Sequence, residues 1–172
     1  MDRLNIVADK LECTELVTRV ARGIDRCDAA ILEKLFHPDA TDDHGIFVGT
    51  ASDFIAWVIP LLQTMKRTQH VIGQVLIEVD GDQAAGESYF LAHHQFDGPE
   101  GEVFMVAAGR YLDRFEKRNG NWKISHRHAV YDWNSTTAST DNFDRDTPGT
   151  QAFGARGHSD ASYAHLAGIA QP

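Results

Sequence analysis

Asp25, His70 and His94 are the residues of this chain whose types suit acid–base work on carbon. A carboxylate bonded to one ring nitrogen of a histidine fixes its tautomer and leaves the other nitrogen free to take a proton. Asp25 follows apolar Ile24 where a first helix should close, and His70 opens a β-rich run on the face shared with Ile72, Gln74 and Leu76. In the next such run His94 alternates onto one face with Ser88, Phe90, Ala92 and Phe96, while His93 takes the other. The expected chemistry is proton abstraction by His70, with Asp25 stabilising the imidazolium and His94 giving a proton to a departing group or steadying an oxyanion. It requires no metal and no organic cofactor, and the chain has no phosphate-cradling glycine loop. Spacing alone leaves two other roles open. A strand histidine is often structural, and two histidines with one carboxylate are also a non-haem iron ligand set, which nine histidines make worth testing.

These side chains need a scaffold. An apolar stripe of Leu11, Leu16, Val17, Val20 and Ile24 predicts a first helix from Asp9 or Thr14 to Gly23, where the chain exits. Asp28 should cap a second helix that buries Ile31, Leu32, Leu35 and Phe36 and stops at Pro38. A short extended piece over Gly45–Gly49 precedes a third helix, capped by Ser52, with Phe54, Ile55, Val58, Leu61, Leu62 and Met65 inward and a kink or early end at Pro60. Four strands follow at Thr68–Val79, Gln83–Phe96, Val103–Lys117 and Trp122–Trp133, with Asp-Gly and Asn-Gly turns between them. Helices first and strands after predict an α+β domain over residues 1–133, a curved, cone-shaped, mostly antiparallel sheet with three N-terminal helices on its concave face. Residues 134–172 read as a polar tail that Phe143, Phe153 or Tyr163 could anchor to a neighbouring subunit.

Acidic residues outnumber basic ones by 25 to 16, a net charge of −9, and no Lys/Arg stripe offsets it, so nucleic acid is not an expected partner. Cys13 and Cys27 are too few for a four-cysteine zinc site and read as apolar fillers. No apolar run approaches the ~20 residues that span a bilayer, and the N-terminus lacks the pattern of a secretion signal. A cytoplasmic protein without a membrane partner is expected. A cone closed by helices makes a pocket for a small hydrophobic molecule, with Trp57, Phe90, Phe96 and Met105 as core or wall. Asp42, Asp43 and His44, followed by Gly45, belong either to the pocket rim or to a solvated loop. On the last strand His126 and His128 share a face with Ile124, and Arg127, Tyr131 and Trp133 share the other. Either set could line the pocket, and a bulge would exchange them.

The run Thr68-Gln69-His70-Val71-Ile72-Gly73, followed by Gly86 and by His94-Gln95, and the segment Gly23-Ile24-Asp25-Arg26 carry a resemblance. With the order of elements over residues 10–133, they make the chain similar to scytalone dehydratases and hexachlorocyclohexane dehydrochlorinases. Both are enzymes of the SnoaL-like branch of the nuclear transport factor 2-like superfamily, whose fold is a cystatin-like α+β barrel. The resemblance implies that Asp25 pairs with His70 as general base, that His94 is a second active-site histidine, and that Arg127 helps a leaving group depart. It implies a lyase or isomerase without cofactor. His44 and Tyr131 are candidate substrate-binding residues beside that machinery. The chain departs from the pattern at Ile24 and His44, where the dehydratase has tyrosines, and at Val20, where the dehydrochlorinase has a lysine. The Asp–His machinery carries over; the substrate does not. The competing reading within this fold is a non-catalytic ligand-binding or accessory subunit, such as the small subunit of a ring-hydroxylating dioxygenase. Val71, Val75, Ile77 and Val79 alternate away from His70, where a second copy could cover them, and the resemblance implies a homotrimer, with a dimer second.

Overall fold

The computed structural model describes residues 2–147 and 149–167. Helix α1 (Arg3–Arg26) buries Asp9, Cys13, Val17, Val20, Ala21 and Ile24, a row at near i, i+4 spacing. It starts earlier than the stripe predicts, and Leu11 lies on its exposed side with Leu4 and Val7. It also ends later. Gly23 stays helical and Cys27 takes the left-handed exit at φ 50°. Glycine is needed at position 23 for packing: a Cβ there would sit 2.6 Å from Leu32 Cδ2, so its absence lets α2 (Ala29–Leu35) close on α1. Asp28 caps α2 as expected, accepting from the Ile31 N–H at 3.1 Å.

Phe36 does not continue α2 but opens a strand, β1 (Phe36–Asp43), where only a stop at Pro38 was expected. Pro38 is tolerated because the pairing of β1 with its longer neighbour is irregular between Phe36 and Thr41. After β2 (Val48–Thr50), α3 (Ala51–Gln63) is capped by Thr50 rather than Ser52; the Thr50 hydroxyl accepts from the Asp53 N–H at 3.1 Å. The helix passes through Pro60 without ending. Ala56 and Pro60 are exposed, so the carbonyl that proline leaves without a donor meets water.

Strands β3 (Arg67–Asp80), β4 (Gln83–Gly98), β5 (Gly101–Arg118) and β6 (Asn121–Ala138) complete a six-stranded sheet in the order β2-β1-β6-β5-β4-β3. Only β1 and β6 run parallel. The fold is a cone-like α+β domain whose sheet stays open, with β2 and β3 at its edges. Cys13, Val17, Leu32, Phe115 and Ile124 are at most 1% exposed and form the centre of the helix–sheet core. Buried Asp9 ties α1 to the sheet by accepting from Trp122 Nε1 at 2.8 Å and Lys117 Nζ at 2.7 Å. No helix among the described residues is long and apolar enough to cross a membrane.

Three register shifts decide what faces inward. Between Ile72 and Val75 the pairing of β3 with β4 slips, so that Ile77 is buried and Val75 and Val79 pack against the core. This corrects the expectation that Val75, Ile77 and Val79 share the outer face with Val71. That face instead exposes Val71, Leu76, Tyr89, Leu91 and Leu112. On β6, Ser125 and Asp132 are each left without a register partner on β5. The first of these bulges brings both Ile124 and Arg127 inward and leaves His126 and His128 on the other side, bonded to Thr41 and Asp43. Opposite the second, Gly109 allows close approach: a Cβ would fall 2.1 Å from the Val130 carbonyl oxygen.

Beyond β6 the chain returns to its own first helices through a 3₁₀ turn (Gly157–Ser159) and α4 (Ala161–Ala167). Arg26 donates to Asp160 at 2.8 Å, Tyr163 donates to Asp28 at 2.5 Å, and the Arg22 guanidinium lies 4.4 Å over the Tyr163 ring.

Candidate active site

The last turn of α1 sets Asp25 against the start of β3. Its Oδ1 lies 2.8 Å from His70 Nδ1, and its Oδ2 accepts the His70 backbone N–H at 2.8 Å. A carboxylate only accepts, so Nδ1 carries a ring proton, and in the neutral ring Nε2 is the nitrogen left with a lone pair. Both side chains are less than a tenth exposed.

Arg156, from the C-terminal segment, braces this pair. Its Nη1 donates to the Asp25 carbonyl and the Thr68 hydroxyl, each at 2.6 Å, and Nη2 donates to the Leu62 carbonyl at 3.2 Å. One guanidinium thus joins α1, α3 and β3. Nothing local marks Arg156 in the sequence, because all its partners are distant along the chain. Arg156→Ala leaves buried acceptors unpaired and is expected to cost about 2 kcal/mol, read as a lowered Tm; an unchanged Tm would contradict the bracing.

His94, on β4, stands nearly perpendicular to His70 with ring centroids 5.7 Å apart. Its Nδ1 lies 3.2 Å from the Ala92 carbonyl oxygen and must donate to it. Burial, reinforced by His70, pushes the His94 pKa down to about 4. The ring is therefore neutral near pH 7 and presents Nε2 as an acceptor. The linkage has a definite sign. The unfolded ring takes up its proton near pH 6.5 and the folded one only near pH 4, so stability is full above pH 6.5 and is lost as pH falls toward 4. The loss is on the order of 3 kcal/mol. Tm measured between pH 7 and 4.5 should fall more in the wild type than in His94→Gln.

Across the cavity, Arg127 on β6 donates to Asp113 on β5 through Nε at 2.8 Å and Nη2 at 2.7 Å, with its guanidinium 4.2 Å over the Tyr111 ring. Burial opposes the Arg127 charge, but Asp113 beside it holds the pKa above its usual value. On β1, Asp42 is 1% exposed and bonds His44 Nδ1, while its other oxygen has no partner among the described residues. The His44 ring stacks on Phe54 at 4.4 Å. Asp42 is thus a strand residue and not part of a solvated loop.

These groups surround a cavity of about 550 Å³ with a mainly apolar wall. His44, Trp57, His70, Phe90, His94, Met105, Arg127 and Tyr131 all line it. Asp25 stands behind His70. Phe96 lies outside the lining, because β4 has passed the cavity where Phe96 pairs with Val103 near the hairpin turn. The sequence reading missed Tyr111 and Asp113, which alternate along β5 with Gly109 and Phe115 and could have been found by period two. Among the described residues no three His, Cys, Asp or Glu side chains converge as a metal-ligand set, and Asp25 is taken up by His70.

Residues 5–128 match the SnoaL-like domain family. An uncharacterized protein of Mycobacterium tuberculosis is 26% identical over 124 residues, which is 70% of this chain and 84% of that protein. Among solved structures, a hexachlorocyclohexane dehydrochlorinase, LinA type 2, superposes with a TM-score of 0.73 at 20% identity, over 84% of this chain and 99% of that one. A protein assigned as a scytalone dehydratase from Novosphingobium aromaticivorans superposes with a TM-score of 0.66 at 19% identity, over 79% of this chain and 91% of its own. At these identities the structural likeness speaks for the fold.

Proposed function

The chain belongs to the SnoaL-like family, and from that premise we propose that it is a cofactor-independent lyase or isomerase acting on a small hydrophobic, cyclic molecule. The observation that supports this reading is the buried Asp25–His70 pair, in which the carboxylate holds Nδ1 while His70 lines an apolar cavity. His70 takes a proton from carbon beside an activating group, and Asp25 stabilises the imidazolium that results. His94 accepts a hydrogen bond from a substrate hydroxyl, and the Arg127 cation steadies negative charge that develops on the substrate. Trp57, Phe90, Met105 and Tyr131 form the walls, with His44 beside the substrate. The solved relatives described as a dehydrochlorinase and as a scytalone dehydratase support an elimination.

The test is product formation from a panel of cyclic ketones and halocarbons that carry a leaving group next to an activated C–H bond. Alkene formed above the buffer rate supports the lyase reading. Saturable binding of the same compounds without turnover would favour a ligand-binding or accessory subunit. The exposed Val71, Leu76, Tyr89, Leu91 and Leu112 suit burial against further copies of the chain. A homotrimer is proposed, and the mass in solution by light scattering checks it; a monomer would contradict it.

A further inference from the structure

Building on the elimination reading above, we propose that His44, held by Asp42, is the proton donor to the leaving group, so that the substrate class is one that loses oxygen as water. The basis is a row of charges across three strands. Asp42 and Arg127 are register partners between β1 and β6, and Arg127 and Asp113 are partners between β6 and β5. All three are at most 3% exposed. Arg127 spends two N–H groups on Asp113, and Asp42 gives one oxygen to His44 Nδ1 while the other has no partner among the described residues. Two carboxylates against one guanidinium leave a buried negative charge, which is costly to keep out of water. A proton on the His44 ring cancels it. Against that ring lie Asp42 from β1, Tyr111 from β5 and the uncharged Phe54 from α3; the neighbouring titratable cations on β6, His126 and His128, are bonded to Thr41 and Asp43 instead.

His44 lines the same cavity as His70, while His94 is neutral and gives its one N–H to Ala92. The step then balances. His70 Nε2 takes the proton from carbon, and the C–H electron pair becomes the new π bond. The C–O bond breaks with its pair on oxygen, and the Nε2–H of His44 converts the departing hydroxide into water. Solvent returns a proton from His70 to His44 after turnover. A halide leaves without a proton, so a halogenated substrate would leave the Asp42–His44 pair idle.

The probes are 3-hydroxycyclohexanone and 3-chlorocyclohexanone, which share a ring and an activated C–H bond and differ in leaving group. His44→Gln and Asp42→Asn are each expected to slow elimination from the hydroxy ketone by more than about a hundredfold, and from the chloro ketone by less than about tenfold. Equal losses on both ketones would overturn the proposal. If neither ketone reacts with the wild type, it is the elimination reading that fails, and ring ¹⁵N spectra of the histidines still decide on His44. Two protonated ring nitrogens on His44 at pH 6 in the wild type, falling to one in Asp42→Asn, are expected. A single protonated nitrogen in the wild type would overturn the proposal.

Discussion

Replacing His70 with Gln is expected to slow proton abstraction by more than about a hundredfold, with the fold kept. Glutamine fills much of the space of the ring and retains the backbone N–H that Asp25 Oδ2 accepts, so the loss should be chemical. Asp25→Asn should cost a similar factor for a different reason. The asparagine side chain presents either a carbonyl or an amide group to His70 Nδ1, and the amide form reverses the tautomer and puts the proton on Nε2, the nitrogen that must be bare. Because the two residues act as one unit, the double variant should be little slower than either single variant. Steady-state rates on the first compound that turns over, with Tm as the folding check, measure this. Additive losses would mean that Asp25 does not work through His70.

Asp113→Ala is expected to be the most destabilising of the site substitutions. Arg127 is 3% exposed and bonds Asp113 through two N–H groups, so losing the carboxylate leaves two donors of a buried cation unpaired at a cost of about 3–5 kcal/mol. The stacking of Arg127 on Tyr111 recovers only a fraction of that. Replacing both partners with apolar residues of similar volume, Arg127→Met with Asp113→Leu, should restore most of the stability, since the penalty comes from the unpaired charge and not from the absence of an ion pair. Urea unfolding of the two single variants and the double variant gives the coupling. A loss below about 1 kcal/mol in Asp113→Ala would show that water reaches Arg127.

The parts of this molecule that obey one period were legible in the sequence. The hairpin turns bound four long strands, and the alternation around His94 put it on the cavity with Phe90. The Asp25–His70 pairing came from residue type and a family resemblance, and the two side chains meet at 2.8 Å. What escaped depends on two strands at once or on distant chain segments. A bulge such as that at Ser125 is a relation between β5 and β6, so alternation on β6 alone placed Ile124 with His126 when it shares the buried side with Arg127. The strand β1, with proline and acidic residues and little β propensity, is held by pairing with β2 and β6, and missing it left Asp42 and His44 undecided between a pocket rim and a solvated loop. Arg156 reaches three elements that only the fold brings together.

Wash-in of solvent deuterium at carbon tests most directly whether His70 is a base aimed at the cavity. Cyclic ketones would be incubated in deuterated buffer with wild-type protein and with His70→Gln, and the label followed by mass spectrometry. Incorporation beside the carbonyl by the wild type, reduced by more than about a hundredfold in the variant, is the expected result. Incorporation at the same rate with both proteins would contradict it.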